Sequence, residues 1–548
     1  MKRRNFLRIT GPLAFSPVVM KGNLLRPFAT GSLTKLFGCE DVNDRHLVVV
    51  QIKGGNDGLN CIIPLNQYDL YKTYRPKIAI PQADLVNLDS TVTLERQVGL
   101  HPSLTSFKAL YERNEFSFVQ AVGYANSNKS HFKGTDLWLS GGDSTQSKNN
   151  LNSGWLGRYL DSSYPGLAGE PTLDHLDPLG IQLGSKQQSL GFHTEEQHEA
   201  GINLSGQDPA GFYTLVSEIG GLPPSNIPAS DFGENISYVV DIEDSTNRYA
   251  QRISKVFEAG ANMGSYPTSD LANQFKTVAR LISGGIKTKV FVVTIGGFDT
   301  HQNQVDISDP KSGTHGNLMK QLSESILAFQ DDLNLLGLSD RVAGVTFSEF
   351  GRRPKENGSA GTDHGTVAPM FLFGKAIKSQ ILGDNVDLSA IPADQNDIVG
   401  MQMDYRNVFT ALLQDWLGAS NSVVTDTIFD DFVTTKADIL DTSSIVQPGC
   451  YIDTYLKTSI LSRSVGFNVY PNPALQSIKF QIDQVSASIG YLKIVDMAGR
   501  DQIVERLDFR VNPQVFEINV ANLMPGNYGI SLNLDNSRRQ YVSKFLKI

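Results

Sequence analysis

The residues best suited to chemistry in this chain are aspartates and histidines set one or two positions apart, just where strand-like runs stop. In Thr346–Gly365, TFSEFGRRPKENGSAGTDHG, the run Arg341–Phe347 gives way to Ser348 and at once presents Glu349, Arg352 and Arg353. A Gly-rich loop follows, and then the adjacent pair Asp363–His364. Both carry a donor atom on a short side chain, so they read as a metal-ligand pair. The alternative is an ordinary polar surface loop. A second run, Val290–Ile295, ends in Gly296–Gly297–Phe298–Asp299–Thr300–His301. Residues i and i+2 of an extended segment point the same way, so Asp299 and His301 can converge on one ion. A third, HLVVVQIKGGNDGL (His46–Leu59), sets Asp57 at its carboxyl end, where an Asp-Gly turn is the alternative.

These residues need a scaffold that brings strand ends together. His46–Ile52 is apolar on both faces, as a central parallel strand is. Asp270–Ile286 reads as a helix feeding Val290–Ile295, and Leu318–Leu336 as a long helix feeding the strand before Glu349. Strand–helix–strand alternation over Lys289–Phe347 implies a right-handed crossover in a mostly parallel sheet. Open α/β sheets of this kind place their sites at the carboxyl ends of strands. Leu100–Phe118 and Tyr405–Leu417 add helices, FSFVQAVG and MFLFGKAI add strands, and Asp161–Ser230 is aperiodic and rich in Gly, Pro, Ser and Gln. Beyond Asp441 the texture changes, and from Phe467 short alternating segments read as an all-β sandwich of about eighty residues.

With 548 residues the chain exceeds one ordinary core. A net charge of −9 leaves no basic surplus for a nucleic-acid partner. Three cysteines, Cys39, Cys61 and Cys450, form neither a disulfide framework nor a thiolate zinc motif. The opening MKRRNFLRITGPLAFSPVVM is too short and broken for a transmembrane span and reads as a signal segment over 1–31. Its RRNFL is similar to a twin-arginine signal, which carries proteins out already folded.

GGNDGLN (Gly54–Asn60), KSHF (Lys129–Phe132), GWLGR (Gly154–Arg158), GGFDTH (Gly296–His301), SEFGRR (Ser348–Arg353) and GTDHG (Gly361–Gly365) occur in that order. The set resembles an exported bacterial family, domain-of-unknown-function family 1501, itself similar to the alkaline phosphatase/sulfatase superfamily. The tail, with FNVYPNPA, IVDMAGR, LMPGNYGISL and KFLKI, resembles the type nine secretion sorting domain of Bacteroidetes-type bacteria. The expected layout is a signal at 1–31, a doubly wound α/β domain at 40–441, a linker at 442–465 and a β-sandwich sorting domain at 466–548.

The resemblance implies metal ions at the strand ends and a hydroxyl nucleophile. Carried over by position, Asp57, Asp299 and His301, and Asp363 and His364 become metal ligands, and Ser130 takes the nucleophile's place. Glu349 joins the expected ligand set. The superfamily carries a further His downstream of the Asp-His pair; none follows His364 here, so His315 or His131 is the expected substitute. Two cations would stabilise both attacking and leaving oxygens of an anionic ester, with Arg352 or Arg353 clamping its free oxygens. Zinc suits the His-bearing sites, with Ca and Mn the alternatives for carboxylate-rich ones. The implied protein is an exported hydrolase of phosphate or sulfate esters that uses the twin-arginine and type nine machineries to reach the cell surface or medium. The rival is an inactive secreted binding protein on the same scaffold.

Overall fold

The computed structural model describes residues 44–441, except 146–151, 166–175, 186–188, 196–198, 205–248, 392–396 and 398–399. It also describes 464–466, 469–481, 489–496, 501–508, 515–534, 540–548 and the short pairs 18–20 and 23–25. Most of the signal and linker readings, with Cys39 and Cys450, fall outside these residues. Two compact units emerge, one of them Val42–Cys450 and the other including Tyr451–Ile548. Among the described residues no helix is long and apolar enough to cross a membrane.

The first unit is built on one sheet. Its strands in chain order are β1 (His46–Ile52), β2 (Phe116–Gly123), β3 (Gly180–Gln182), β4 (Gly201–Asn203), β5 (Val290–Ile295), β6 (Val342–Ser348), β7 (Ala368–Phe373), β8 (Ile381–Leu382) and β9 (Met403–Asp404). Spatially they run β8-β2-β7-β6-β1-β5-β3-β4, with β9 also on β2. β1 pairs in parallel with β5 and β6, whereas β7 is antiparallel to both its neighbours. The sheet is therefore mixed but mostly parallel.

Alternate residues of β1 enter different cores. Val48, Val50 and Ile52 pack with Phe275, Leu322 and Ile326 of helices α4 (Asp270–Ser283) and α5 (Thr314–Leu335). Leu47 and Val49 pack with Leu137, Trp155 and Phe409 of α2 (His131–Ser140), α3 (Trp155–Ser163) and α6 (Tyr405–Ala411). Both faces are covered, as the continuous apolar strands require. Helix α1 (Thr105–Glu112) joins the α4/α5 side through Phe107 and Leu110. The aperiodic middle supplies β3 and β4, and three-residue strands are too short to show an alternation in sequence.

In the second unit, a five-stranded sheet and the three-stranded sheet Val469–Tyr470, Ser477–Gln481, Val515–Asn519 share one core. Phe480 and Ile518 come from the smaller sheet, and Leu492, Ile530 and Phe545 from the larger. This is the expected all-β region.

Burial sets an acid limit on the α/β unit. His46 opens β1 with Nδ1 on the Thr288 carbonyl at 2.6 Å. Burial pushes its pKa down to about 3, outweighing that bond, and burial with the adjacent His315 does the same for His101, also to about 3. Unfolded, both rings take up protons below about 6.5; folded, they stay neutral to about 3. The unfolded state thus binds more protons in that window, and stability falls as pH drops through it. Denaturation measured from pH 7 to 4 should show the slope and His46→Gln should flatten it; an equal slope in the variant refutes the assignment.

Candidate metal centre

Three adjacent strands stop at one level, since Ile52 of β1 is in register with Ile295 of β5 and Ser348 of β6. Their loops therefore start side by side. The β1 loop must pass close under the β5 loop: a Cβ on Gly54 would lie 2.3 Å from the Asp299 nitrogen, and its φ is +122°. Only glycine fits that approach and conformation. Gly54→Ala is expected to cost more than about 1 kcal/mol and to displace Asp299. Denaturant titration and metal content check both, and a variant equal to wild type in each would refute the close-packing role.

The β6 loop continues into a hairpin, Arg352–Glu356 with Thr362–His364. Arg352 is buried and stitches the three loops together. Its Nε donates to the Gly55 carbonyl at 2.9 Å and its NH1 to Thr362 at 2.7 Å. NH2 reaches the Gly54 and Phe298 carbonyls and the Asp299 carboxylate at 2.5 Å. A guanidinium spent in this way holds loops and has little left for a substrate, which corrects its expected role as an anion clamp. Arg353 is half-buried and bonds through Nε to the His364 carbonyl at 3.3 Å.

Four side chains converge above this stitch. Asp299 Oδ1 lies 3.1 Å from His301 Nε2 and 3.2 Å from His364 Nε2, and its Oδ2 lies 3.4 Å from His131 Nε2. His301 Nε2 and His364 Nε2 are 2.9 Å apart. Each ring is fixed from behind. His131 Nδ1 bonds Glu349 at 2.8 Å, His301 Nδ1 bonds Asp363 at 3.1 Å, and His364 Nδ1 bonds the Lys129 carbonyl at 2.8 Å. Because those partners only accept, each Nδ1 carries the proton and each Nε2 turns a lone pair inward.

That arrangement tests the fit of a cation. Two imidazole lone pairs facing each other across 2.9 Å repel unless a positive charge lies between them. The buried His131 Nε2 has no hydrogen-bond partner. Partial burial would raise the Asp299 carboxyl, but the bond and charge of the Arg352 guanidinium outweigh it and hold the pKa at about 2. An ionised carboxylate among three imidazoles is a donor set that suits zinc or a similar divalent ion. Asp299 and His301 are almost half-exposed, which leaves the cluster open to solvent.

Several expected ligands lie elsewhere. Asp363 and Glu349 orient histidines and do not join the cluster. Asp363 and His364, adjacent on one hairpin strand, meet opposite ring nitrogens of His301, Asp363 at Nδ1 and His364 at Nε2. Asp57 is sealed in the interior, gripped by Arg75 at 2.7 and 2.9 Å and by Gln304 at 2.5 Å. A guanidinium already neutralises it, so a second ion has no carboxylate there and the two-ion expectation fails at this position. His315 is buried against Asn56, and its Nε2 is 3.3 Å from Asn56 Oδ1. His131, at the start of α2, is the residue whose place in the cluster spacing alone did not single out. Ser130 is exposed and stands at the amino cap of α2 with no side-chain capping bond.

An α/β domain with a histidine–carboxylate cluster on the loops after β5 and β6 and the start of α2, followed in the chain by an all-β module, is the class defined so far. The chain belongs to the family described as protein of unknown function (DUF1501), whose model matches residues 44–428. Residues 468–547 match the secretion system C-terminal sorting domain, which marks the chain for export to the cell surface or medium. No curated protein matches. Among solved structures, latent PorU from Porphyromonas gingivalis is similar over 15% of this chain at 19% identity and TM-score 0.13. The chain spans only 9% of PorU's length. The lipoteichoic acid synthase LtaP from Listeria monocytogenes is similar at 11% identity and TM-score 0.25, covering 77% of this chain and 79% of LtaP. Alkaline phosphatase from the Antarctic bacterium TAB5 is similar at 11% identity and TM-score 0.21, covering 60% and 91%. These likenesses are too distant to bear on activity.

Proposed function

We propose that this chain is an exported hydrolase of phosphate or sulfate esters that depends on one divalent ion. The observation that carries the reading is the convergence of three inward Nε2 atoms on an ionised, solvent-facing Asp299. A structural site is closed on all sides, whereas a catalytic one keeps an open position. A divalent ion held by His131, Asp299, His301 and His364 would supply the charge that an anionic ester needs before it can be attacked.

The chain's own residues divide the remaining work. Glu349, Asp363 and the Lys129 carbonyl keep each imidazole in the tautomer that offers Nε2. Ser130 presents an exposed hydroxyl where α2 begins, and the dipole of that helix end favours an anion. Ser130 is the proposed nucleophile. Arg353, held by its bond to the His364 carbonyl, is proposed to pair with a free ester oxygen.

The rival reading is a secreted binding protein without turnover. It is favoured by the burial of Asp57, which removes the second ion, and by the commitment of Arg352 to backbone carbonyls. Metal analysis with aryl phosphate and aryl sulfate assays separates the two. About one divalent ion per chain, with hydrolysis lost in chelator and restored by zinc, is expected. An ion-loaded chain inert towards both esters supports the binding reading, and hydrolysis unaffected by chelator overturns the metal dependence.

A further inference from the structure

A separate group of donor atoms meets inside the core. Cys61 ends the short helix Gly58–Cys61 and is fully buried. His315 and Met319 lie four residues apart on α5, on one face of that helix, and are buried as well. Cys61 Sγ is 3.1 Å from Met319 Sδ and 3.8 Å from His315 Nε2. Cys61 Sγ and His315 Nε2 both share Asn56 Oδ1, each at 3.3 Å, and the other polar atoms of the group are unpaired. His315 Nδ1 has no hydrogen-bond partner, and neither has the neighbouring Asn56 Nδ2.

We propose that Cys61, His315 and Met319 bind one soft monovalent cation, copper(I), at a site distinct from the histidine cluster. A thiolate, a thioether and an imidazole are the ligands that soft copper(I) selects, and hard cations have no reason to displace water for them. Charge points the same way. The nearby Asp57–Arg75 pair is already neutral, so copper(I) with one thiolate adds no net charge to the interior. A divalent ion with that single thiolate would bury an uncompensated positive charge, which is costly. Binding exchanges the S–H bond for S–Cu and releases one proton to solvent per ion. The two sulfurs must part a little to admit the ion, and Met319, with three rotatable bonds, can make that adjustment. The depth of the site requires loading before the core closes.

The test uses the full chain carrying Cys39→Ser and Cys450→Ser, so that Cys61 is its one thiol. It is produced in copper-supplemented medium under reducing conditions and washed with a copper(I) chelator. The expected result is about one copper per chain, with sulfur and nitrogen neighbours by X-ray absorption. Copper should fall at least tenfold in Cys61→Ala, fall in Met319→Leu and persist in Asp299→Ala. A folded chain that retains no copper overturns the proposal, as does equal copper in Cys61→Ala or its loss in Asp299→Ala. Should Cys61→Ala fail to fold, the volume-conserving Met319→Leu decides, and undiminished copper there overturns the site.

Discussion

Asp299→Ala is expected to leave the chain folded, without its divalent ion, and with hydrolysis reduced at least about 100-fold. Among the described residues Asp299 is the one carboxylate within reach of all three Nε2 atoms, so its loss leaves only imidazole donors. It is also nearly half-exposed, which is why the fold should survive. The comparison that sharpens the result is Asp363→Ala. Asp363 touches the cluster only through His301 Nδ1 and should therefore cost about 10–100-fold in metal affinity, with no complete loss. Competition with a graded zinc chelator measures both variants. Equal affinities for Asp299→Ala and wild type would refute the site, and full metal loss in Asp363→Ala would make that residue a direct ligand.

Arg75→Met is expected to destabilise the α/β unit by about 3–5 kcal/mol, because it strands the ionised Asp57 in the interior. The pair is wholly enclosed, and Arg75 also bonds Asn60 and the Pro354 and Arg353 carbonyls. Removing both charges together should be milder. In Asp57→Asn/Arg75→Met, no charge is left buried and Gln304 still has an amide partner. Chemical denaturation of the two single variants and the double closes the cycle. Metal content per folded molecule should stay at wild-type level throughout. Loss of the ion in Asp57→Asn at unchanged stability would return Asp57 to the metal centre.

The sequence alone made the scaffold and its site-bearing edge readable. The uninterrupted apolar run of β1, the helical spacing of α5 and the switch to alternation after Asp441 are local patterns, and each reports which surfaces of an element must leave water. The carboxyl ends of β1, β5 and β6 were legible because Gly and an acidic residue follow each run where a buried strand must exit. The ligand set was not. Asp57, Asp299 and Asp363 look alike in sequence, each at or near a strand end with Gly or His within two residues. Their fates were decided by residues far away in the chain: Arg75 neutralises Asp57, His301 takes up Asp363, and Arg352 holds Asp299 open to solvent. Likewise Lys129, through its carbonyl, fixes the His364 tautomer across a separation of 235 residues. Local patterning records burial, which is a property of one element at a time. Ligation depends on which charges and lone pairs meet, and only the tertiary structure brings them within hydrogen-bond distance.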